Sequence, residues 1–76
     1  MPKLLLIDPA LVVAVDRFRQ NLPASVEIAV TTSFDEDELG RLAVDTEILV
    51  NARRHIDAAM LAMAPQVRFI QLIGIG

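Results

Sequence analysis

The residue types best suited to chemistry fall in two places: a basic cluster, Asn51-Ala52-Arg53-Arg54-His55, and a glycine turn, Gly74-Ile75-Gly76. Arginine pairs a carboxylate or phosphate through two parallel N–H bonds, so adjacent Arg53 and Arg54 suit a small anionic ligand. Two glycines one residue apart let the backbone approach an anion and offer it N–H groups. The same turn could open the G-x-G-x-x-G loop of a dinucleotide site, but its third glycine would lie beyond Gly76. Each feature also has a plain structural reading, as solvated loop arginines and as a tight bend after a strand. His55 is the only histidine. With no carboxylate at helical spacing to orient it, it reads as a surface loop residue rather than a base.

The remaining polar clusters read as helix starts. Asp8 stands before Pro9, the pairing of an N-cap with a first-turn proline. A phosphate-accepting aspartate in that place would need a second acidic group after the first strand and another at the end of the third, where Asn51 stands instead. Asp35 to Glu38 is a run of acids that meets the positive end of a helix dipole, and Ser33-Phe34-Asp35-Glu36 has the form of a capping box. Without oxygen ligands at loop spacing the run is not a metal site. Thr32 and Ser33 have no neighbouring base to activate them, so they are caps rather than nucleophiles.

Composition narrows the classes further. The formal charge of −3 and only three aromatic residues argue against a nucleic-acid face or an anionic membrane surface. There is no cysteine, which excludes disulfides, thiol catalysis and cysteine-based zinc sites. No apolar stretch approaches the ~20 residues of a membrane span, and the short run before Asp8 is not a signal peptide. The expectation is a soluble, cytoplasmic chain. A chain of this size buries only about 60% of its unfolded surface. Yet 54% of its residues are hydrophobic, which points to surface meant to be covered by more protein.

The elements that would position these residues alternate along the chain. Lys3 to Ile7 is a continuous run, as in a parallel strand buried on both faces. Leu11, Val15, Phe18 and Leu22 follow at helical spacing up to Pro23. Val26, Ile28 and Val30 alternate with Ser25, Glu27, Ala29 and Thr31, giving an outer strand. A second helix follows on Leu39, Leu42 and Ala43, then a third strand over Glu47 to Asn51. Asp57 caps a short helix on Met60, Leu61 and Met63, and Val67 to Ile73 is a fourth strand. The order β-α-β-α-β-α-β specifies an α/β fold with a parallel sheet and right-handed crossovers. The expected architecture is a flavodoxin-like, three-layer parallel sheet, incomplete at its last strand and therefore a fragment of a larger two-domain protein.

The combination of a first strand ending in Asp8-Pro9, a polar loop after the third strand, Ile56-Asp57 opening a short helix, and Ala64-Pro65-Gln66-Val67-Arg68-Phe69-Ile70-Gln71-Leu72-Ile73 running into Gly74-Ile75-Gly76 resembles the N-terminal part of the D-isomer-specific 2-hydroxyacid dehydrogenases. The resemblance covers nearly the whole chain and is most specific in its last twenty or so residues. It implies that residues 1–76 are the N-terminal part of a substrate-binding domain. The substrate carboxylate would meet the backbone of Gly74, Ile75 and Gly76, with Asn51, Ala52, Arg53 and Arg54 nearby as specificity residues. Family members acting on phosphoglycerate tend to carry arginine directly at the end of the third strand. Asn51 stands there, with arginines two and three positions later, which argues against phosphoglycerate; the resemblance implies a hydroxypyruvate- or glyoxylate-like or related small 2-oxo acid. The resemblance further implies NAD or NADP bound by a downstream domain, downstream catalytic Arg, Glu and His, and a homodimer for the complete protein. Residues 1–76 would hold no catalytic residue, cofactor ligand or metal. The other reading is a free-standing flavodoxin-like binding or regulatory module without catalysis.

Overall fold

A computed structural model describes residues 2–73. Four strands, β1 (Lys3–Leu6), β2 (Glu27–Val30), β3 (Ile48–Asn51) and β4 (Phe69–Leu72), form one sheet in the order β2-β1-β3-β4. Every pairing is parallel, with Leu5 opposite Ala29 on one side and Leu49 on the other. The continuous apolar run of β1 thus has its cause. It is an inner strand covered on both faces, and all four of its residues are buried.

A six-residue 3-10 segment, Pro9–Ala14, leads into α1 (Val15–Asn21); α2 spans Glu36–Ala43 and α3 spans Ala58–Ala62. The two faces of the sheet hold separate cores. Leu4, Leu6 and Val50 pack with Leu11, Val15, Phe18 and Leu22 beneath the 3-10 segment and α1. Leu5, Ile7 and Leu49 pack with Leu39, Ala43, Met60 and Ala64 beneath α2 and α3. Burying each such leucine or isoleucine contributes roughly 1.5–3 kcal/mol. Helices on both faces of a parallel sheet in this order make the flavodoxin-like arrangement expected from the alternation of elements.

Three local details differ from the reading of the sequence. The first helix is not α-helical from its start. Leu11 N donates to Asp8 O at 2.9 Å, an i→i+3 bond, and proline at the first position supplies no donor of its own. The cap of α2 is Asp35, whose carboxylate accepts from Asp37 N, and not Ser33. Ser33 Oγ instead accepts from Asp35 N, and the acid that reaches back is Glu38, not Glu36. Finally, β4 is exposed along its whole length. Its register puts Phe69 on the α1 face and Ile70 and Leu72 on the α2–α3 face, and neither helix layer reaches far enough to cover them.

At the opposite end of the sheet, Lys3 is buried and its Nζ donates to Leu42 O at 2.7 Å and to Asp45 Oδ1 at 2.8 Å. A lysine against the last carbonyls of α2 neutralises the negative end of that helix and ties it to β1.

Candidate functional site

Ligands of open parallel sheets lie beyond the carboxyl ends of the strands, where neighbouring strands send their connections in opposite directions. Here that switch falls between β1 and β3. β1 leads through α1 to β2 on one side, and β3 leads through α3 to β4 on the other. Asp8 follows β1 and Asn51-Ala52-Arg53-Arg54 follows β3, so the topology brings residues far apart in sequence to one crevice.

Asp8 stands two residues after the end of β1 at that switch point and is completely buried. One carboxylate oxygen accepts from Ala10 N at 2.9 Å, which caps the 3-10 segment as its sequence position suggests. The same carboxylate accepts from Arg53 three times: from Nε at 3.0 Å, from Nη2 at 3.1 Å and from the backbone N at 3.2 Å. These hydrogen bonds from Arg53 are the main reason the Asp8 pKa falls from its ordinary value to about 2, against the upward push of burial. The partner guanidinium is held more firmly in its charged form for the same reason.

Arg54 does a different job. Its backbone N donates to Asn51 Oδ1 at 3.1 Å, and its carbonyl accepts from Asn51 Nδ2. Its guanidinium donates to Ile7 O at 3.3 Å and Phe34 O at 3.1 Å and lies 5.6 Å from the centre of the Phe34 ring. One side chain therefore ties together the loops after β1, β2 and β3, by carbonyl hydrogen bonds and a cation–π contact. No carboxylate pairs with it among the described residues.

The loop after β2 is set by Glu38. Its carboxylate accepts from Thr32 N and Ser33 N at 3.1 Å, from Thr32 Oγ1 at 2.6 Å and from Ser33 Oγ at 3.1 Å. The Thr32 donors chiefly lower its pKa. After β3, Asp57 caps α3 by accepting from Met60 N at 2.9 Å.

Between these loops lies a cavity of about 460 Å³. Phe34, Leu39, Met60 and Met63 form its apolar lining, and Glu36, Arg53, Arg54, His55 and Asp57 its polar one. Arg53 and Arg54, both expected at a binding site, line this cavity. Asn51 and Ala52, expected beside them, do not. Asn51 is buried and holds the turn through Arg54, while Ala52 packs on the α1-face core. Gly74, Ile75 and Gly76 lie outside the described residues. His55 is exposed, as a loop histidine would be.

Reading the sequence missed the pairing of Asp8 with Arg53 and the apolar contribution of Phe34, Met60 and Met63. A usable signal was present for the first. An acid after strand one and a base after strand three become neighbours whenever those strands pair in parallel.

Among the described residues no group of three or more histidines, cysteines or acids could hold a metal ion, and no helix is long and apolar enough to cross a membrane. Comparisons with protein-family models, with curated proteins and with solved structures return no match.

Proposed function

We propose that this chain forms the acid-binding part of an NAD(P)-dependent oxidoreductase that interconverts a D-2-hydroxy acid and its 2-oxo acid. The observation that carries this reading is the presence of Arg53 and Arg54 on one cavity at the carboxyl edge of the sheet. Asp8 takes only one edge of the Arg53 guanidinium, through Nε and Nη2. Nη1 and the second Nη2 hydrogen are left to hold a carboxylate, and the Arg53 side chain is 59% exposed to receive it. The task of these residues is orientation: fixing the acid so that its 2-oxo carbon is presented for reduction in one geometry.

The resemblance to the D-isomer-specific 2-hydroxyacid dehydrogenases supplies the reaction class. In that reading the backbone of Gly74, Ile75 and Gly76 provides further donors to the same carboxylate. The described residues do not themselves fit a dinucleotide. Gly40, their only glycine, lies inside α2 rather than in a strand-to-helix turn, so none of them makes a glycine-rich phosphate cradle. In that reading the cofactor and the acid–base groups belong to a downstream domain. The exposed apolar residues of β4, with Leu72 at 65% exposure, support further protein packing beside that strand.

The test is reduction of 2-oxo acids by NADH or NADPH in the complete protein, with Arg53→Ala and Arg54→Ala alongside. The expected result is turnover with a KM raised about tenfold or more in each variant, the signature of lost substrate binding. Absence of turnover with any 2-oxo acid and either cofactor would overturn the reading. The second reading is a binding module without catalysis. It draws on the same cavity, where Arg53 and Arg54 would hold an anion without acting on it.

A further inference from the structure

The charges around the cavity do not balance in favour of a highly charged ligand. Arg53 and Arg54 bring two positive charges to the lining, against Glu36 and Asp57. Asp8, completely buried behind Arg53, adds a third carboxylate and already neutralises that guanidinium. An acid held here is therefore attracted by directed N–H groups, not by a general positive field. One carboxylate can take the free edge of Arg53. A second anionic group on the same molecule would face the two lining carboxylates, Glu36 and Asp57, with Arg54 as the one arginine not already neutralised. Arg54 is itself committed to two carbonyls and the Phe34 ring. What the cavity offers the rest of the ligand is apolar surface from Phe34, Leu39, Met60 and Met63.

We infer that the site selects monoanionic acids and rejects acids bearing a second carboxylate or a phosphate, and that Asp8 is the positioning residue behind this choice. It fixes the edge of Arg53 that remains free and cancels the charge that a dianion would need. Selection of this kind works by repulsion of the wrong ligand as much as by attraction of the right one. The inference rests on the acid-binding reading given above and narrows its substrate class. It does not depend on the nicotinamide cofactor.

Two probes of equal chain length isolate the effect: 2-oxopentanoate, with a terminal methyl group, and 2-oxopentanedioate, with a terminal carboxylate. Titration of each into the isotope-labelled chain, followed through the Arg53 and Arg54 side-chain N–H resonances, gives the ratio of their affinities. The expected result is a preference for the monoanion of about tenfold or more at low salt, shrinking as salt screens the repulsion. In Asp8→Asn the preference should fall severalfold or invert. In Glu36→Gln, an exposed substitution that leaves the core intact, it should fall as well. Asp45→Asn, at the far end of the sheet beside Lys3, should leave the ratio where it was.

A lost cap alone would weaken both probes together, so the ratio separates the positioning role from a purely structural one. Equal or tighter binding of the dianion by the unsubstituted protein sinks the inference and leaves the acid-binding reading standing. An unchanged ratio in both Asp8→Asn and Glu36→Gln also sinks it. Binding of neither probe, with no Arg53 or Arg54 resonance moving, removes the acid-binding reading and the inference together.

Discussion

Asp8 and Arg53, 45 residues apart, meet where β1 and β3 end, with Arg53 Nε 3.0 Å from one Asp8 oxygen and Nη2 3.1 Å from the other. The carboxylate is fully buried while the guanidinium side chain is 59% exposed. The pair therefore joins two strand-end loops at its buried end and offers a hydrogen-bonding edge at its open end. Structure and binding share one side chain.

That pairing gives a pH dependence with a definite sign. Asp8 is held at about 2 in the folded chain and titrates at about 3.9 when unfolded. A depressed carboxylate stabilises the fold fully above its unfolded pKa and loses that contribution as pH falls through the folded value. Denaturant unfolding measured from pH 7 to pH 2 should show stability falling between about pH 4 and pH 2. The share due to Asp8 should be about 1–2 kcal/mol once solvent screening at the exposed partner is allowed for. Asp8→Asn should be less stable at pH 7 and flatter across that window. The shallower slope that remains belongs to Glu38 and Asp45, both also depressed by their hydrogen-bonding partners. An Asp8→Asn curve parallel to that of the parent chain would mean the pair contributes nothing to folding.

Thr31, at the end of β2, is buried, and its Oγ1 has no hydrogen-bond partner among the described residues. An unpaired buried hydroxyl costs about 1–3 kcal/mol, and an isosteric methyl in its place removes that cost. Thr31→Val should therefore raise the unfolding free energy by about 1 kcal/mol, against the usual direction for a buried substitution. A loss of stability in thermal or chemical unfolding would count against the orphaned hydroxyl.

How far these features could be read in advance depends on how local their causes are. The alternation of strands and helices, the two-sided burial of β1 and the caps at Asp8 and Asp57 arise from neighbouring residues, and the pattern of residue types expresses them directly. The register of the α2 cap is less legible. Thr32, Ser33 and Asp35 all carry a suitable oxygen, and the choice among them follows from Glu38 reaching back to two backbone N–H groups at once. The 3-10 start of the first helix is hidden for a related reason. Leu11, Val15 and Phe18 suit a continuous helical stripe, while Pro9 and the Asp8 cap set the hydrogen bonding of the first turns. Least legible is the site itself. Arg53 and Arg54 look alike in sequence, yet one is paired with a buried acid and the other is spread over carbonyls and a ring.

The exposed edge at β4 carries its own prediction. Phe69 is 67% exposed and Leu72 65%, on opposite faces of a strand that, among the described residues, is paired on one side only. Bare apolar edge strands promote association between chains, and a lysine there is a common natural remedy. Phe69→Lys and Leu72→Lys should each change unfolding free energy by less than about 0.5 kcal/mol, because little buried contact is lost. Sedimentation over a range of concentrations should show less self-association in both than in the parent chain. A large drop in stability would show that these side chains are covered in solution.

The two arginines should separate cleanly when each is replaced by lysine. Lysine keeps the charge and loses the planar fork. At position 53 the fork is what lets one side chain meet both Asp8 oxygens, so Arg53→Lys should move the acid transition toward higher pH, as Asp8 is held less far below its ordinary value. At position 54 the fork spans Ile7 O and Phe34 O and lies over the Phe34 ring. A single ammonium cannot reach both carbonyls and cover the ring. Arg54→Lys should leave the acid transition in place and speed amide hydrogen exchange in the loop from Thr32 to Asp35, which loses its tie to β1 and β3. Overall stability should fall by about 1–3 kcal/mol, because Phe34 O is open to water while Ile7 is completely buried and its carbonyl loses a donor that water does not replace. The crossed result, with loop exchange faster in Arg53→Lys and the acid transition moved in Arg54→Lys, would reverse the roles assigned to the two residues.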